Sequence, residues 1–318
     1  MTAALALLLG AGLTGWFTPG LLNRIDPARA DPLALLVAWL LAAVGVLAAT
    51  VTGTVLLLSP GHGVGVTVMS IVNECLAAIS HGTPPRAEVF VGLAGIALVS
   101  LLTLRFAVIV VQFARRRART RRQHLETLQM AARCDDRCPR TWWLDHDEPM
   151  AFSYAYRQGV IVATEGLERH LSAAEVAAVL AHERAHLRGK HHHVITWVDA
   201  LAKALPFLPL FRQAPSAVRE LVELAADVAA VREHGAETVR TALLSVAGHG
   251  TPDGTLAMGD SGVELRLALL ANGSAPAGPV KRTLSCVVAA ATMTTLPMIT
   301  GAGVLLSVAV VACPLTGA

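Results

Sequence analysis

The chain has 318 residues, of which 54% are hydrophobic and 15% are charged, and its formal net charge is +3. An average soluble domain has about 25% charged residues, so this composition excludes an ordinary soluble protein and is typical of a membrane protein. Five cysteines, among them Cys134 and Cys138, do not form the framework of a disulfide-rich scaffold. We expect that pair to be reduced thiols, with a metal or redox pair as the alternative.

Four apolar segments predict four membrane spans, at 2–22, 33–58, 89–113 and 284–311. The second span has no charged residue over its whole length, which is sufficient to cross a bilayer. Arg105 is the one charged residue of the third span. We expect its side chain to reach the membrane interface, and a water-filled groove toward the site is the alternative.

Residues 64–80 are apolar but are interrupted by Asn73 and Glu74, which predicts a helix on the membrane surface rather than a span. Six arginines lie between positions 115 and 122, directly after the third span. Such a cluster marks the cytoplasmic side. It also favours contact with anionic lipid over contact with nucleic acid. Both termini are therefore expected outside the cytoplasm.

These boundaries divide the chain into three parts: spans within 1–114, a cytoplasmic domain at 115–283, and a fourth span with a short tail at 284–318. Inside the domain, helices are predicted at 123–133, 173–187, 217–233 and 263–270, the third with Ser216 as its N-cap. Short strands are predicted at 142–144, 152–156 and 160–164, the last two forming a hairpin around Gly159. Residues 196–211 form either core or a dip into the membrane. Residues 248–262 are predicted to be a mobile loop, and 272–278 a linker.

An H-E-x-x-H motif occupies positions 182–186 of the predicted helix that follows Ser172. Ser172 and Glu175 form a capping-box pattern, which predicts where this helix begins. His182 and His186 are four residues apart on one helical face, so both imidazoles can bind one metal ion. Glu183 can reach a water molecule on that ion, which is the arrangement of zinc metalloproteases.

A catalytic zinc site needs a third protein ligand. Glu223 and Asp227 share a face of a second predicted helix. We expect Glu223 to be the ligand, with Glu220 as its rival, and Asp227 to accept a hydrogen bond from a ligating histidine. Zn²⁺, one ion per chain, is the expected cofactor.

A second group that stabilises the oxyanion is expected, but the sequence leaves it open among His234, His249, Arg232 and Tyr154. Three histidines follow the motif at positions 191, 192 and 193. We expect them to form a solvated polar cluster, and binding of a second metal or delivery of zinc to the site is the alternative.

Five short motifs also resemble those of a known family, the BlaR/MecR-type antirepressor metallopeptidases, which are membrane gluzincins related to the HtpX heat-shock proteases. They are Ala-Phe-Ser at 151–153, Val-Ile-Val at 160–162 with Gly-Leu at 166–167, the segment 179–186, Pro-Phe-Leu-Pro at 206–209, and Glu-Leu-Ala-Ala-Asp at 223–227.

The resemblance implies a mainly helical α+β domain of the zincin type, zinc bound by His182, His186 and Glu223, and Glu183 as the catalytic base. It also implies a cytosolic substrate, typically a winged-helix repressor. The chain departs from the family in two ways. The penicillin-binding sensor domain is expected to be missing, and His191 stands where many relatives have an aspartate.

The leading hypothesis is therefore a membrane zinc endopeptidase that cleaves a cytoplasmic regulator and does not itself bind nucleic acid. A quality-control protease of the HtpX type is the second hypothesis. The third is a membrane sensor without catalytic activity, in which zinc is only structural.

Overall fold

A computed structural model describes residues 2–58, 97, 100–101, 103–113, 115–120, 123, 132–134, 140–154, 159–247, 256–257, 262–271 and 278–312. The helices with defined bounds are α1 Thr2–Leu22, α2 Pro32–Leu58, α3 Glu165–His170, α4 Ala173–Arg188, α5 His191–Ala204, α6 Pro209–His234, α7 Ala236–Val246, α8 Val263–Ala271 and α9 Pro279–Ala312. The strands are β1 Arg133–Cys134, β2 Thr141–Leu144, β3 Ala151–Tyr154, β4 Val160–Thr164 and β5 Leu256–Ala257.

Helices α1, α2 and α9 pack together in an apolar helical layer. Glycines allow two of these helices to touch through their backbones. A Cβ atom at Gly10 of α1 would lie 1.8 Å from the carbonyl oxygen of Pro297, and one at Gly301 of α9 would lie 1.9 Å from that of Ala6. Any larger residue at either position would force these two helices apart.

Two described helical segments are long and apolar enough to cross a membrane, Pro32–Leu56 and Arg282–Val304, and Ala6–Leu22 is a shorter apolar helix. Two of the four predicted spans therefore meet this criterion in the described part of the chain. The third, 89–113, lies partly outside the described residues. Its described part from 103 to 113 is helical, and the Arg105 side chain is exposed there. Residues 64–80 lie outside the described residues.

A five-stranded sheet has the order β1-β2-β4-β3-β5. The predicted hairpin is confirmed, because β3 and β4 pair antiparallel with Tyr154 opposite Val160. Gly159 precedes β4 with φ +86°, a backbone conformation that favours glycine. β2 pairs parallel to β4 on the other side.

Two predictions around the sheet are wrong. The sequence predicts that residue 133 ends a helix, but Arg133 belongs to β1 and pairs with Trp143 of β2. Residues 256–257 were expected in a loop, but they pair with β3 as β5, with Ala257 opposite Phe152. In both cases the unpaired edge of an existing strand offers backbone partners that local sequence does not reveal. Residues 272–277 of the predicted linker lie outside the described residues.

Helices α5 and α6 pack against α2 through one hydrophobic core, to which residues of the segment 196–211 contribute. A dip of this segment into the membrane stays a prediction. Leu201, Leu210 and Phe211 are buried there with Leu36 and Trp39 of α2. Burying apolar side chains from both partners in this way contributes about 1.5–3 kcal/mol for each large residue.

Helix α6 begins eight residues earlier than predicted, at Pro209, with Leu208 as its N-cap. Ser216 is therefore not an N-cap, and its hydroxyl donates a hydrogen bond to the carbonyl oxygen of Gln213 instead. Proline is well suited to the first helical position. Burial of Leu210, Phe211 and Val218 stabilises the early start of the helix. This burial outweighs the cost of Pro215 in the second turn, where proline removes a backbone hydrogen bond.

The basic stretch after the third predicted span contacts this core through a salt bridge to Asp199 of α5. Arg117 lies 2.8 Å from one carboxylate oxygen of Asp199. Arg219 of α6 donates hydrogen bonds to both oxygens, each at 2.8 Å. Asp199 is largely buried, so two cations compensate its charge.

Candidate metal centre

Helix α4 places the two predicted histidine ligands in the interior. Its capping box is confirmed: Ser172 accepts a hydrogen bond from the backbone N–H of Glu175, whose carboxylate accepts one from the Ser172 N–H. His182 and His186 are both fully buried. Their Nε2 atoms are 3.0 Å apart, as expected for residues at i and i+4 that point to one place.

Helix α6 supplies the carboxylate. Glu223 Oε2 lies 3.3 Å from His182 Nε2, and Glu223 Oε1 lies 3.5 Å from His186 Nε2. Among the described residues, His182, His186 and Glu223 form a group that could hold one metal ion. Glu220, the rival ligand, is exposed on α6 and does not belong to this group.

The two histidine–glutamate separations fit a zinc ion. Zn–N and Zn–O bonds of about 2.0–2.2 Å at tetrahedral angles place ligand atoms about 3.3–3.5 Å apart. Two imidazoles and one carboxylate are also a donor set of catalytic zinc sites, which leave one position for water. Glu223 Oε2 is buried and forms no hydrogen bond within the described part of the chain, so it is available to a cation.

Glu183 follows His182 directly and is fully buried. Neither oxygen of its carboxylate forms a hydrogen bond to a described residue. Burial, together with the nearby charge of Glu223, raises the pKa of Glu183 to about 8 despite the opposing effect of His182. A buried carboxyl with a raised pKa beside a ligand cluster has the properties of a general base that works near neutral pH.

The Nδ1 atom of His182 lies 2.9 Å from Oδ1 of Asp227, the partner expected from the sequence. Arg266 of α8 fixes the carboxylate of Asp227 by donating two hydrogen bonds of 2.7 Å, from Nε and from Nη2. Its Nη1 also lies 3.5 Å from Glu223 Oε2. Arg266 is 1% exposed, so this cation is buried with the two carboxylates that it compensates.

These contacts set the protonation of the metal-free site. Burial alone would lower the pKa of His182, but Asp227 and Glu223 raise it to about 9. The pKa of Glu223 is held well below its usual range: burial would raise it, but His186, His182 and Arg266 outweigh burial. The pKa of His186 is lowered, chiefly by burial.

The histidines after the motif are not a solvated cluster, which corrects that prediction. His191 and His192 are 5% and 3% exposed, and only His193 is exposed. His191 Nδ1 lies 2.9 Å from His186 Nδ1, and His192 Nε2 lies 3.4 Å from the Ser153 hydroxyl. The prediction failed because the chain turns back at Lys190 and directs the start of α5 into the interior.

The four candidates for an oxyanion donor remain predictions. The ring of Tyr154 is buried and packs edge-on against Phe152. Arg232 is exposed and His234 is partly exposed at the end of α6. His249 lies outside the described residues. The prediction of reduced thiols cannot be compared with the structure, because Cys138 and the side chain of Cys134 lie outside what the structure describes.

Residues 96–247, which contain the complete ligand group, match the family model of Peptidase family M48. This segment is therefore similar to the M48 metallopeptidases. Because M48 is a family of zinc-dependent hydrolases, the predicted class of enzyme is confirmed: the chain is a zinc metallopeptidase. No solved structure matches the chain.

Sequence reasoning missed one side chain next to the ligand group, Arg266, and predicted the wrong environment for another, His191. Arg266 lies beyond the matched segment, on α8, where it is the one cation of a mostly apolar helix that also contains Glu264. Nothing in the local sequence of His191 distinguishes it from the exposed His193.

Proposed function

We propose that the chain is an integral-membrane zinc endopeptidase that cleaves a cytoplasmic protein, and that this protein is a transcriptional repressor of the penicillinase-repressor type. The observation that carries the catalytic part is the buried group of His182, His186 and Glu223, with the buried carboxylate of Glu183 beside it.

In this proposal His182, His186 and Glu223 hold one Zn²⁺, and Asp227 orients His182. When bound, the ion supplies Lewis acidity, which polarises a peptide carbonyl and makes a water molecule more acidic. Glu183 takes a proton from the attacking water and transfers it to the nitrogen of the leaving amine. Its burial keeps bulk water away from that proton.

The membrane part of the proposal is supported by α2 and α9. Both contain segments long and apolar enough to cross a bilayer. Large apolar side chains of α9, including Leu284 and Met298, are exposed on its surface. The cytoplasmic orientation is supported by the arginines between 115 and 122, since such clusters stay on the cytoplasmic side.

The substrate class is supported by the sequence motifs between positions 151 and 227 and by the expected orientation of the domain. A strand beside a metal-binding helix can hold an extended peptide through backbone hydrogen bonds. At Phe152 and Ser153 of β3, the edge away from β4 is paired with β5, so a peptide would have to bind elsewhere along β3 or displace β5.

The test is cleavage of the cytosolic proteome by membranes that contain the full chain. Wild type is compared with Glu183→Gln, which keeps the shape of the side chain but removes the base. Glu220→Gln is the matched control, because Glu220 is an exposed glutamate of α6. We expect cleavage to fall at least about 100-fold in Glu183→Gln and to persist in Glu220→Gln.

Undiminished cleavage by Glu183→Gln would overturn the catalytic assignment. Products from many membrane proteins, rather than from one repressor, would favour the quality-control protease. Identical cleavage profiles for wild type and both variants, with one zinc ion bound per chain, would favour a non-catalytic membrane sensor in which the zinc ion is structural.

A further inference from the structure

The two candidate histidine ligands have different partners at their second nitrogen. His182 Nδ1 faces the carboxylate of Asp227, whereas His186 Nδ1 faces the imidazole of His191 at 2.9 Å. The rings of His186 and His191 are nearly perpendicular, at 86°, with centroids 4.9 Å apart. The two facing nitrogens can form a hydrogen bond only if one of them carries a proton and the other does not.

The surroundings of His186 determine which of the two Nδ1 atoms carries the proton. Its Nε2 faces His182 and Glu223, so this is the nitrogen directed to the metal position. A nitrogen that binds a metal carries no proton, so the proton of His186 must be on Nδ1. Nδ1–H then donates to His191, whose own Nδ1 must be unprotonated and whose proton is on Nε2.

The local backbone holds His191 in this position. Lys190 adopts φ +52°, the left-handed region, and so reverses the chain between α4 and α5. Gly189 leaves the space that the returning ring occupies, since a Cβ atom there would lie 2.3 Å from Nε2 and 2.6 Å from Cδ2 of His191. His191 is also the first residue of α5, where the helix dipole disfavours a cationic ring.

We propose that His191 is a positioning residue for the metal centre: as a neutral imidazole it accepts the hydrogen bond from His186 Nδ1–H and so fixes the tautomer and ring orientation of that ligand. This inference rests on the proposed function, because it assumes that His186 binds the metal. Partners of this kind commonly change metal affinity 10–100-fold when they are removed.

The test measures the affinity of the purified full chain for Zn²⁺ by competition with a chelating dye. His191→Leu and His191→Asn form a matched pair, because the two side chains have nearly the same shape but only asparagine offers an acceptor oxygen near the former Nδ1. His193→Leu is the control on the same turn, since His193 is exposed.

We expect Zn²⁺ binding to weaken 10–100-fold in His191→Leu and to stay within about threefold of wild type in His191→Asn and His193→Leu. Gly189→Ala, which displaces the ring without removing it, should weaken binding about tenfold. The absorption spectrum of the Co²⁺-substituted chain should change with His191→Leu but not with His193→Leu.

Equal Zn²⁺ affinity of His191→Leu and wild type would overturn the inference and leave the proposed function intact. Equal weakening by leucine and asparagine would also overturn it, because packing rather than an acceptor would then be responsible. His186→Ala distinguishes failure of the ligand assignment from failure of the positioning role of His191. If that variant binds Zn²⁺ as tightly as wild type, His186 is not a ligand, and the inference about His191 fails with that assignment.

Discussion

Around the ligand group, charged and polar side chains are buried, whereas along α9 large apolar side chains are exposed. His182, Glu183 and Asp227 are 0% exposed, but Leu284 and Leu306 are 63% and 68% exposed. The contrast follows from what each region faces. The buried charges have counter-charges and a position for a cation, and the exposed apolar surface has the properties of a lipid-facing one. Burial therefore has to be interpreted together with the surroundings of each side chain.

The largest effect is expected where a buried charge loses its partner. Arg266→Met should lower the free energy of unfolding of the metal-free chain by about 3–5 kcal/mol, because Asp227 and Glu223 would remain buried without their cation. Chemical denaturation in detergent micelles measures the change. Arg240→Met is the control, since its pair with Glu237 is exposed, and it should leave stability unchanged. Equal behaviour of the two variants would contradict the role of Arg266.

A comparable effect is expected in the apolar core. Trp39→Ala should cost about 3–5 kcal/mol, because Trp39 is 3% exposed in the core that joins α2 to α5 and α6. Trp16→Ala removes the same side chain from a position that is 59% exposed and should change stability by less than about 0.5 kcal/mol in micelles. If both variants unfolded alike, the packing of α2 against the catalytic helices would be wrong.

A smaller effect tests the exposed apolar surface. Met298 of α9 is 61% exposed, and Met298→Lys should oppose membrane insertion by as much as about 2.5–3.5 kcal/mol near the centre of a span. The fraction of chain that resists alkaline carbonate extraction should fall. Leu244→Lys places the same charge on α7, at an exposed position of the catalytic part, and should leave that fraction unchanged. Full resistance of Met298→Lys would contradict a lipid-facing α9.

The smallest expected effect is the change in zinc affinity for each pH unit. The pKa of His182 is raised to about 9 in the metal-free chain, so at pH 7 its ring is protonated, and zinc must displace that proton. Affinity should therefore rise about tenfold per pH unit, or about 1.4 kcal/mol, between pH 6 and 8 and level off near pH 9. Titration calorimetry in buffers of different ionisation enthalpy counts the released protons.

Asp227→Asn should flatten this response, because it removes the carboxylate that raises the pKa of His182. An affinity independent of pH in the wild type would show that no proton leaves the site when zinc binds.

The sequence was informative where geometry is local. The spacing of His182 and His186, the cap at Ser172 and the hairpin at Gly159 each depend on a few adjacent residues, and the structure agrees with them. The sequence also predicts that Glu223 joins these histidines, because a catalytic zinc site needs a third ligand and Glu223 shares a helical face with Asp227. The three side chains lie together in the structure.

Features that depend on distant partners were not predictable. β5 forms because β3 has a free edge, and α6 extends to Pro209 because Phe211 packs beneath α2. His191 and His193 have the same local sequence signals, and only the turn at Lys190 separates their environments. Arg266 is recognisable only once Asp227 lies opposite it.

The glycine contact between α1 and α9 has a consequence for biosynthesis. α1 ends at Leu22 and α9 starts at Pro279, so most of the chain must be translated before the two helices can meet. At about 5–20 residues per second, this interval lasts about 10–50 s on the ribosome. The metallopeptidase helices emerge within that time and can fold first. The contact at Gly10 and Gly301 is therefore among the last to form, and alanine at either position would affect late assembly rather than folding of the catalytic part.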